Sequence, residues 1–396
     1  MKTLNGITRN KAKIEMTAMV LAVILVTFAV SAAYADTVDQ REYAHGMNFV
    51  YNPVTQYTYL IWSDAYKDGV MDNGSWTHDV YCQEIDTAAP KLVTPDTLVS
   101  AYEAQEPASA SAAGDGGMIV TFEDGNDAGD YEVCQRYVLY DKDMNVIKSY
   151  PQTIAMGGHS GHCASTDDRH VIFWSQEWVD GGGVSNLGTG RDVYVTSMKT
   201  DGSDITTKPV SVDNGKRDWW PIIAASDSKS LLVWQRYINS AKYAHICYAL
   251  YDPKTCTLSA THVITTIKAS YYRYNVSYAE NADRFVIGVT DTAGAGNVLL
   301  IDENGRLTGR KAGLPGFVRE SSPAIRDSGS GSVLVYPKAP TGAFSLKITG
   351  KSVRLLNRRT GNYRWTICGT SGFYADDGSV YFVNLGTSKV RLVHFR

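Results

Sequence analysis

Leu232-Val233-Trp234-Gln235-Arg236 is an apolar run that reaches an aromatic residue and then turns polar, and the same phrase returns along the chain. It reads LIWSD at 60–64, VTFED at 120–124, IFWSQ at 172–176, IGVTD at 287–291, LVYPK at 334–338 and YFVNL at 381–385. The spacing is about 50 to 60 residues, the period of a structural repeat. Seven similar strands at that period read as seven small antiparallel sheets, packed face to face around a common axis.

A second phrase follows the first anchors: HDVYCQEID ending at Asp86, YEVCQRYVLYD at Asp141, RDVYVTSMKTDG near Asp201, AHICYALYD at Asp252 and NVLLIDENG near Asp302. Asp-Gly, Asp-Pro and Asn-Gly turn signals come next, and then a fourth strand. The expected fold class is therefore all-β, a seven-bladed β-propeller of four-stranded antiparallel blades, with Trp and Tyr wedged between blades. The last repeat, from Trp365 to Arg396, has room for only three strands. Residues 36–44, DTVDQREYA, are expected to add the missing outer strand and close the ring, so that no sheet edge is left open. One propeller over 36–396 uses the whole length.

Residues 1–35 read as a signal peptide. Lys2, Arg9, Lys11 and Lys13 precede an apolar run from Met16 to Ala33, and Ala33-Tyr34-Ala35 is a small-x-small cleavage site. An uncleaved membrane anchor is the alternative. Either way the rest of the chain is expected to be exported, secreted or at the cell surface, and to act as a monomer. Without that segment it holds 34 basic and 40 acidic residues, a balance that argues against a nucleic-acid partner. Six cysteines are too few to frame the fold. Cys247 and Cys256 flank a turn where a disulfide is one reading; Cys82, Cys134, Cys163 and Cys368 read as small buried hydrophobes. Asn73 and Asn275 begin N-x-S triplets and are candidate glycan sites.

The loops break the symmetry. Blades one to four carry long polar inserts between second and third strands, and blades five to seven carry short ones, so one rim is built up on one side like a cleft wall. Around the mouth of the axial channel, just before the innermost strands, stand His45, Gln105, Glu106, His159, His162, Arg217, Asp218, Trp219, Trp220, Tyr272, Arg273, Tyr274, Arg319, Glu320, Arg364 and Trp365, with Arg236 and Tyr237 at the end of a second strand. Guanidinium forks pair with carboxylates or sulfates, and flat rings stack on pyranose faces, so this lip suits an acidic polysaccharide. The plainer reading is that the arginines pair with neighbouring Asp and Glu.

His159 and His162, in GGHSGHC, admit three readings: a general base or carboxylate neutraliser, metal ligands together with Cys163, or structural groups in a Gly-rich turn. The chain lacks a GxSxG elbow, HExxH, CxxC and a P-loop. DGNDAGD, from Asp124 to Asp130, resembles a calcium loop but has Ala128 where a ligand is wanted, so a solvated turn fits better. No cofactor is required, although a structural divalent metal is compatible with the sequence. Glu106, Asp218 and Glu320 are scattered over three blades, which speaks against paired-carboxylate glycoside hydrolysis.

His159, Arg236 and Tyr272 or Tyr274, taken from successive blades, resemble the constellation of propeller polysaccharide lyases, in particular ulvan lyases. The resemblance rests on architecture and residue type, and it departs from that family where Trp219 and Trp220 replace an expected tyrosine. It implies β-elimination on a uronate: Arg236 and a histidine neutralise the carboxylate, His159 or a tyrosine takes the proton, and Tyr274 protonates the leaving oxygen. His162, Trp219, Trp220, Tyr237, Tyr272, Arg273, Arg319 and Arg364 are then substrate-binding. A non-catalytic carbohydrate or cell-surface binding propeller, and a structural propeller, are the alternatives. Deleting residues 36–44 is expected to destabilise the whole ring, which thermal unfolding of the shortened chain will measure.

Overall fold

In a computed structural model, the described residues are 45–64, 78–101, 105–124, 133–176, 192–212, 215–238, 243–365, 370–385 and 390–395. The signal segment, the strand expected at 36–44, most of the long inserts, Asn73, the Asp-rich loop after Asp124 and Cys368 lie outside them. Among the described residues no helix is long and apolar enough to cross a membrane.

The chain forms one antiparallel sheet after another. The first holds His45–Tyr51, Thr58–Asp64, Asp79–Ile85 and Asp96–Val99 in sequence order. The second holds Gln105–Ala112, Met118–Asp124, Cys134–Tyr140 and Val146–Met156, and the third Gly158–Ser165, Arg169–Gln176, Asp192–Lys199 and Thr206–Ser211. Next comes an eight-stranded sheet whose path runs through Asp218–Ala225, Ser230–Tyr237, Ala244–Asp252, His262–Ala279, Arg284–Asp291, Gly296–Ile301 and Leu307–Leu314. Its long strand, His262–Ala279, pairs with Ala244–Asp252 early and with Arg284–Asp291 late. It is thus the outermost strand of one group and the innermost of the next. The penultimate sheet holds Ala324–Asp327, Ser332–Pro337, Thr341–Ile348 and Val353–Arg364; the last holds Gly372–Tyr374, Val380–Leu385 and Val390–Phe395.

Each recurring phrase lies on the second strand of its group, where both faces must be covered. Trp62, Phe122, Trp174, Trp234, Val289, Tyr336 and Val383 are all buried. The apolar clusters lie between groups. Met118 and Phe122 pack with Val50 and Ile61; Ile119 and Leu139 pack with Ile172 and Trp174; Phe173 and Val195 pack with Trp234 and Tyr251. Trp219 and Tyr248 meet Tyr274 and Phe285; Val286 and Val298 meet Tyr336 and Phe344; Ala324 and Ala343 meet Phe382 and Val393. One further cluster joins the end of the chain to its beginning, with Phe373 and Val383 against Leu60 and Trp62. The sheets therefore close into a ring, the all-β propeller that the repeats predict.

Two expectations are corrected. Cys247 and Cys256 are both free. The hairpin register pairs Asp252 with Thr257, so Cys256 sits in the turn, while Cys247 lies opposite Trp234 and Val263. Asn275 is no glycan site, because its side chain is buried within the strand His262–Ala279 with no hydrogen-bond partner at either amide atom.

His170, on the second strand of the third sheet, is fully buried, and its Nδ1 lies 2.8 Å from Ser165 Oγ. Burial outweighs the opposing charge of Asp115 and pushes its pKa down to about 4. The unfolded chain then binds the extra proton first. The stability this neutral imidazole gives is complete above pH 6.5 and is lost as the pH falls toward 4, on the order of 3 kcal/mol. Urea unfolding across that window should show the loss in the native chain and a shallower one in His170→Phe.

Candidate functional site

The chain turns into its innermost strands through a repeated kink. Gly46, Ser160, Trp220, Tyr272 and Glu320 all have φ between 49° and 62°, at equivalent places one or two residues before the strand straightens. Beside four of them the ladder slips register, between His45 and Asn48, His159 and His162, Trp219 and Ile222, and Ala269 and Tyr274. A bulge of this kind re-aims side chains at the end of a strand. Four of the five kinks are made by residues with a Cβ, which raises the backbone energy by about 1 kcal/mol or more each. The packing around them must hold them there.

In GHSGH the holding groups are visible. Gly161 N–H donates to Gln135 Oε1 at 2.8 Å, and Gln135 Nε2 donates to Phe122 O at 3.0 Å. A Cβ at position 161 would stand only 2.2 Å from that amide oxygen, so a larger residue there would displace the Gln135 amide from these hydrogen bonds. Ser160 N–H donates to Glu123 Oε1 at 2.5 Å, and His159 Nε2 lies 3.1 Å from Glu123 Oε2. At the other ring nitrogen, Trp219 Nε1–H approaches His159 Nδ1 at 3.4 Å, and Ser160 Oγ makes a short contact with the same atom. An indole nitrogen can only donate, so Nδ1 is the acceptor and the ring proton sits on Nε2, facing Glu123.

This changes the role open to His159. Its Nδ1 lone pair points at Ser160 and Trp219, and its Nε2–H points at a carboxylate, so both nitrogens face protein partners. The order serine, histidine, glutamate has the connectivity of an acyl-transfer triad, but Ser160 has no exposed surface. Its structure-based role is to lock the third sheet to the second. His78 does the same between the first and second sheets, with Nε2 at 3.3 Å from Glu106 Oε2.

Arg236, expected to neutralise a carboxylate, has a protein partner. It lies directly across the ladder from Asp218, and its Nε and Nη2 donate to the two Asp218 oxygens at 2.6 and 2.5 Å. Ser211 Oγ donates to the same carboxylate at 2.6 Å. The fork that a uronate would need is held by a buried acid. Tyr274, expected as a catalytic residue, is fully buried, and its hydroxyl donates to the Trp220 carbonyl in a short contact. Burial pushes the Tyr274 and Tyr237 hydroxyls well above their usual range and Tyr272 up to about 12, so none is a tyrosinate at neutral pH.

The tryptophans expected to bind substrate are buried as well. Trp219 is 0% and Trp220 5% exposed, too little to stack on a sugar face. The rings pack tilted or edge-to-face against one another: His159 to Trp219 at 5.6 Å, Trp220 to Tyr272 at 4.5 Å, Trp219 to Tyr237 at 6.1 Å. Gln235 ties the tyrosines together, its Nε2 donating to Tyr237 Oη at 2.7 Å and its Oε1 accepting Tyr272 N–H at 3.1 Å. Trp220 Nε1 donates to Glu320 Oε1 at 2.6 Å.

Two guanidinium groups cap this aromatic block. Arg217 lies 5.1 Å from the Tyr237 ring centre and Arg319 4.6 Å from that of Tyr272, both partly exposed. Arg273, also partly exposed, stands between Tyr272 and Tyr274 in sequence. Arg364 ends the strand opposite Thr341, and its side chain lies outside the described residues. His162 donates Nδ1–H to Ser160 O at 3.0 Å and lines an axial cavity of about 150 Å³, together with Glu320, Asn275 and Ser109. Among the described residues, no three His, Cys, Asp or Glu side chains converge as a metal site.

The structure thus brings His159, Trp219, Trp220, Tyr237, Tyr272, Tyr274, Arg217 and Arg319 into one block and turns Arg236 away toward Asp218. Glu123, Ser160, Gln135 and Gln235 were missed by sequence reasoning. Glu123 and Gln235 are the polar tails of VTFED and LVWQR, and that polar turn after each anchor was the available signal.

No protein-family model matches the chain, and no curated protein matches it in sequence. Solved structures do. A GH93 alpha-L-arabinofuranosidase of Fusarium graminearum in complex with arabinobiose is 10% identical over 89% of this chain and 93% of its own, with a TM-score of 0.46. A subtype N10 neuraminidase-like protein of A/little yellow-shouldered bat/Guatemala is 10% identical over 73% and 94%, at 0.43. The apocarotenoid oxygenase of Synechocystis, as a Glu150Gln mutant, is 10% identical over 77% and 71%, also at 0.43.

Proposed function

We propose that this chain is an exported, seven-bladed propeller that holds an acidic polysaccharide on its lip without cleaving it. The observation that carries this reading is the pair Arg217 and Arg319, each seated over a buried tyrosine of the same block. Each guanidinium is a partly exposed cation within cation–π distance of its ring, and a guanidinium is the group suited to pair with a carboxylate or sulfate. The rings beneath are fixed by Gln235 and by one another, so little side-chain entropy is lost when a ligand is bound. Seven blades are counted by dividing the eight-stranded sheet within His262–Ala279.

The commitments of His159 to Glu123, Arg236 to Asp218 and Tyr274 to Trp220 count against β-elimination by that trio. The lyase reading keeps one point in its favour, since His159 and Tyr272 both pack on Trp220, at 6.2 and 4.5 Å. A single experiment separates the two. The chain from residue 36 onward is incubated with polygalacturonate, alginate and heparin, with binding and the ultraviolet absorbance of an unsaturated uronide followed together. The binding reading expects a complex that weakens with salt and loses about ten-fold or more in affinity in Arg217→Ala with Arg319→Ala, with no absorbance. Absorbance that grows with time, and disappears in His159→Ala, would establish the lyase.

A further inference from the structure

Far from the lip, the penultimate and last sheets do not meet completely. Their common core of Ala324, Ala343, Val380, Phe382 and Val393 leaves a groove of about 240 Å³. Its floor is apolar, with Val333, Val335 and Ala343 facing Val380 and Phe395. The gap has a local cause. Val335, Ser345 and Asn357 stand in one cross-strand row, so two of the three side chains that could fill the space are short and polar.

Two exposed arginines belong to the groove, Arg326 and Arg359, and among the described residues no acidic side chain lines it. Arg326 is fixed with its guanidinium 4.8 Å from the Tyr374 ring centre. Arg359 lies across the ladder from Ala343, on the strand Val353–Arg364. That strand also carries Arg354 and Arg358, follows Lys351 and contains no acid. The neighbouring outer strand, Leu307–Leu314, adds Arg310 and Lys311 and is likewise free of acids. In a chain that is acidic overall, this edge is a local positive field.

We propose that this groove binds a small amphiphilic anion, a carboxylate with a single hydrocarbon chain. The apolar floor takes the chain and the two guanidinium groups take the carboxylate. The volume is that of about eight water molecules, which suits one short chain and not a peptide. A neutral alcohol of the same length would leave the arginines unpaired, and a polysaccharide would leave the floor unused.

The test uses octanoate, decanoate and decanol as probes, with calorimetry on the chain from residue 36 onward. Decanoate should bind at least ten-fold more tightly than decanol and about four-fold more tightly per added methylene than octanoate. Arg326→Gln with Arg359→Gln should lose ten-fold or more in decanoate affinity. Lys254→Gln is the control: it is an exposed cation in the turn after Asp252, on another sheet, and binding should change by less than two-fold. No binding of decanoate, equal binding of decanol, or an equal loss in Lys254→Gln would each overturn the proposal. The lip is not involved, so the outcome is independent of whether a polysaccharide binds there.

Discussion

Every sheet in this ring has to bury both faces, and the rest of the structure follows from that constraint. A sheet with one wet face needs apolar residues only on alternate positions, whereas these second strands are apolar on both sides along most of their length. Leu231, Leu232, Val233 and Trp234 are all fully buried, with Leu231 and Val233 facing one neighbour and Leu232 and Trp234 the other. No group is stable on one face alone, so ring closure through Phe373, Val383, Leu60 and Trp62 stabilises all of them together. The middles of the strands are spent on packing. Only their ends can carry chemistry.

At those ends the repeated left-handed kink does two things. It turns the chain into the innermost strand, and it places one side chain from each repeat where it can reach the next. Glu123 with His159 and Trp220 with Glu320 are contacts between groups made this way, and Glu106 with His78 joins two groups without such a kink. Each polar atom so buried must find a partner or lose free energy. The lip is consequently a set of mutually satisfied groups, rigid enough to present Arg217 and Arg319 and already engaged where a proton transfer would have needed an open position. The same logic explains why Arg236, chemically the best carboxylate clamp in the sequence, is taken by Asp218.

The repeats were legible because burial on two faces writes itself as a local apolar run, and every anchor phrase lies on a second strand. The residue types on the lip were legible too, since GGHSGHC, RDWW and YYRY each precede a strand. Their exposure was not. Whether Trp219 stacks on a sugar or on His159 depends on a histidine 60 positions away, and the pairing of Glu123 with His159 depends on how two sheets sit in the ring. The cysteine bridge failed for a smaller reason: the turn at Asp252 is tight, and Cys256 falls inside it. The groove between the last two sheets arises from Ser345 and Asn357 lying side by side, which requires the register of strands that the sequence only delimits.

The most direct test of the account is the protonation state of His159, read from the nitrogen shifts of histidine-labelled protein at neutral pH, with His159→Gln to assign the signals. A lip that is already satisfied predicts one fixed tautomer, with the proton on Nε2 toward Glu123 and Nδ1 accepting from Ser160 and Trp219. A proton on Nδ1, or a ring that averages between tautomers, would contradict it, for it would leave His159 available to take a proton from a bound substrate.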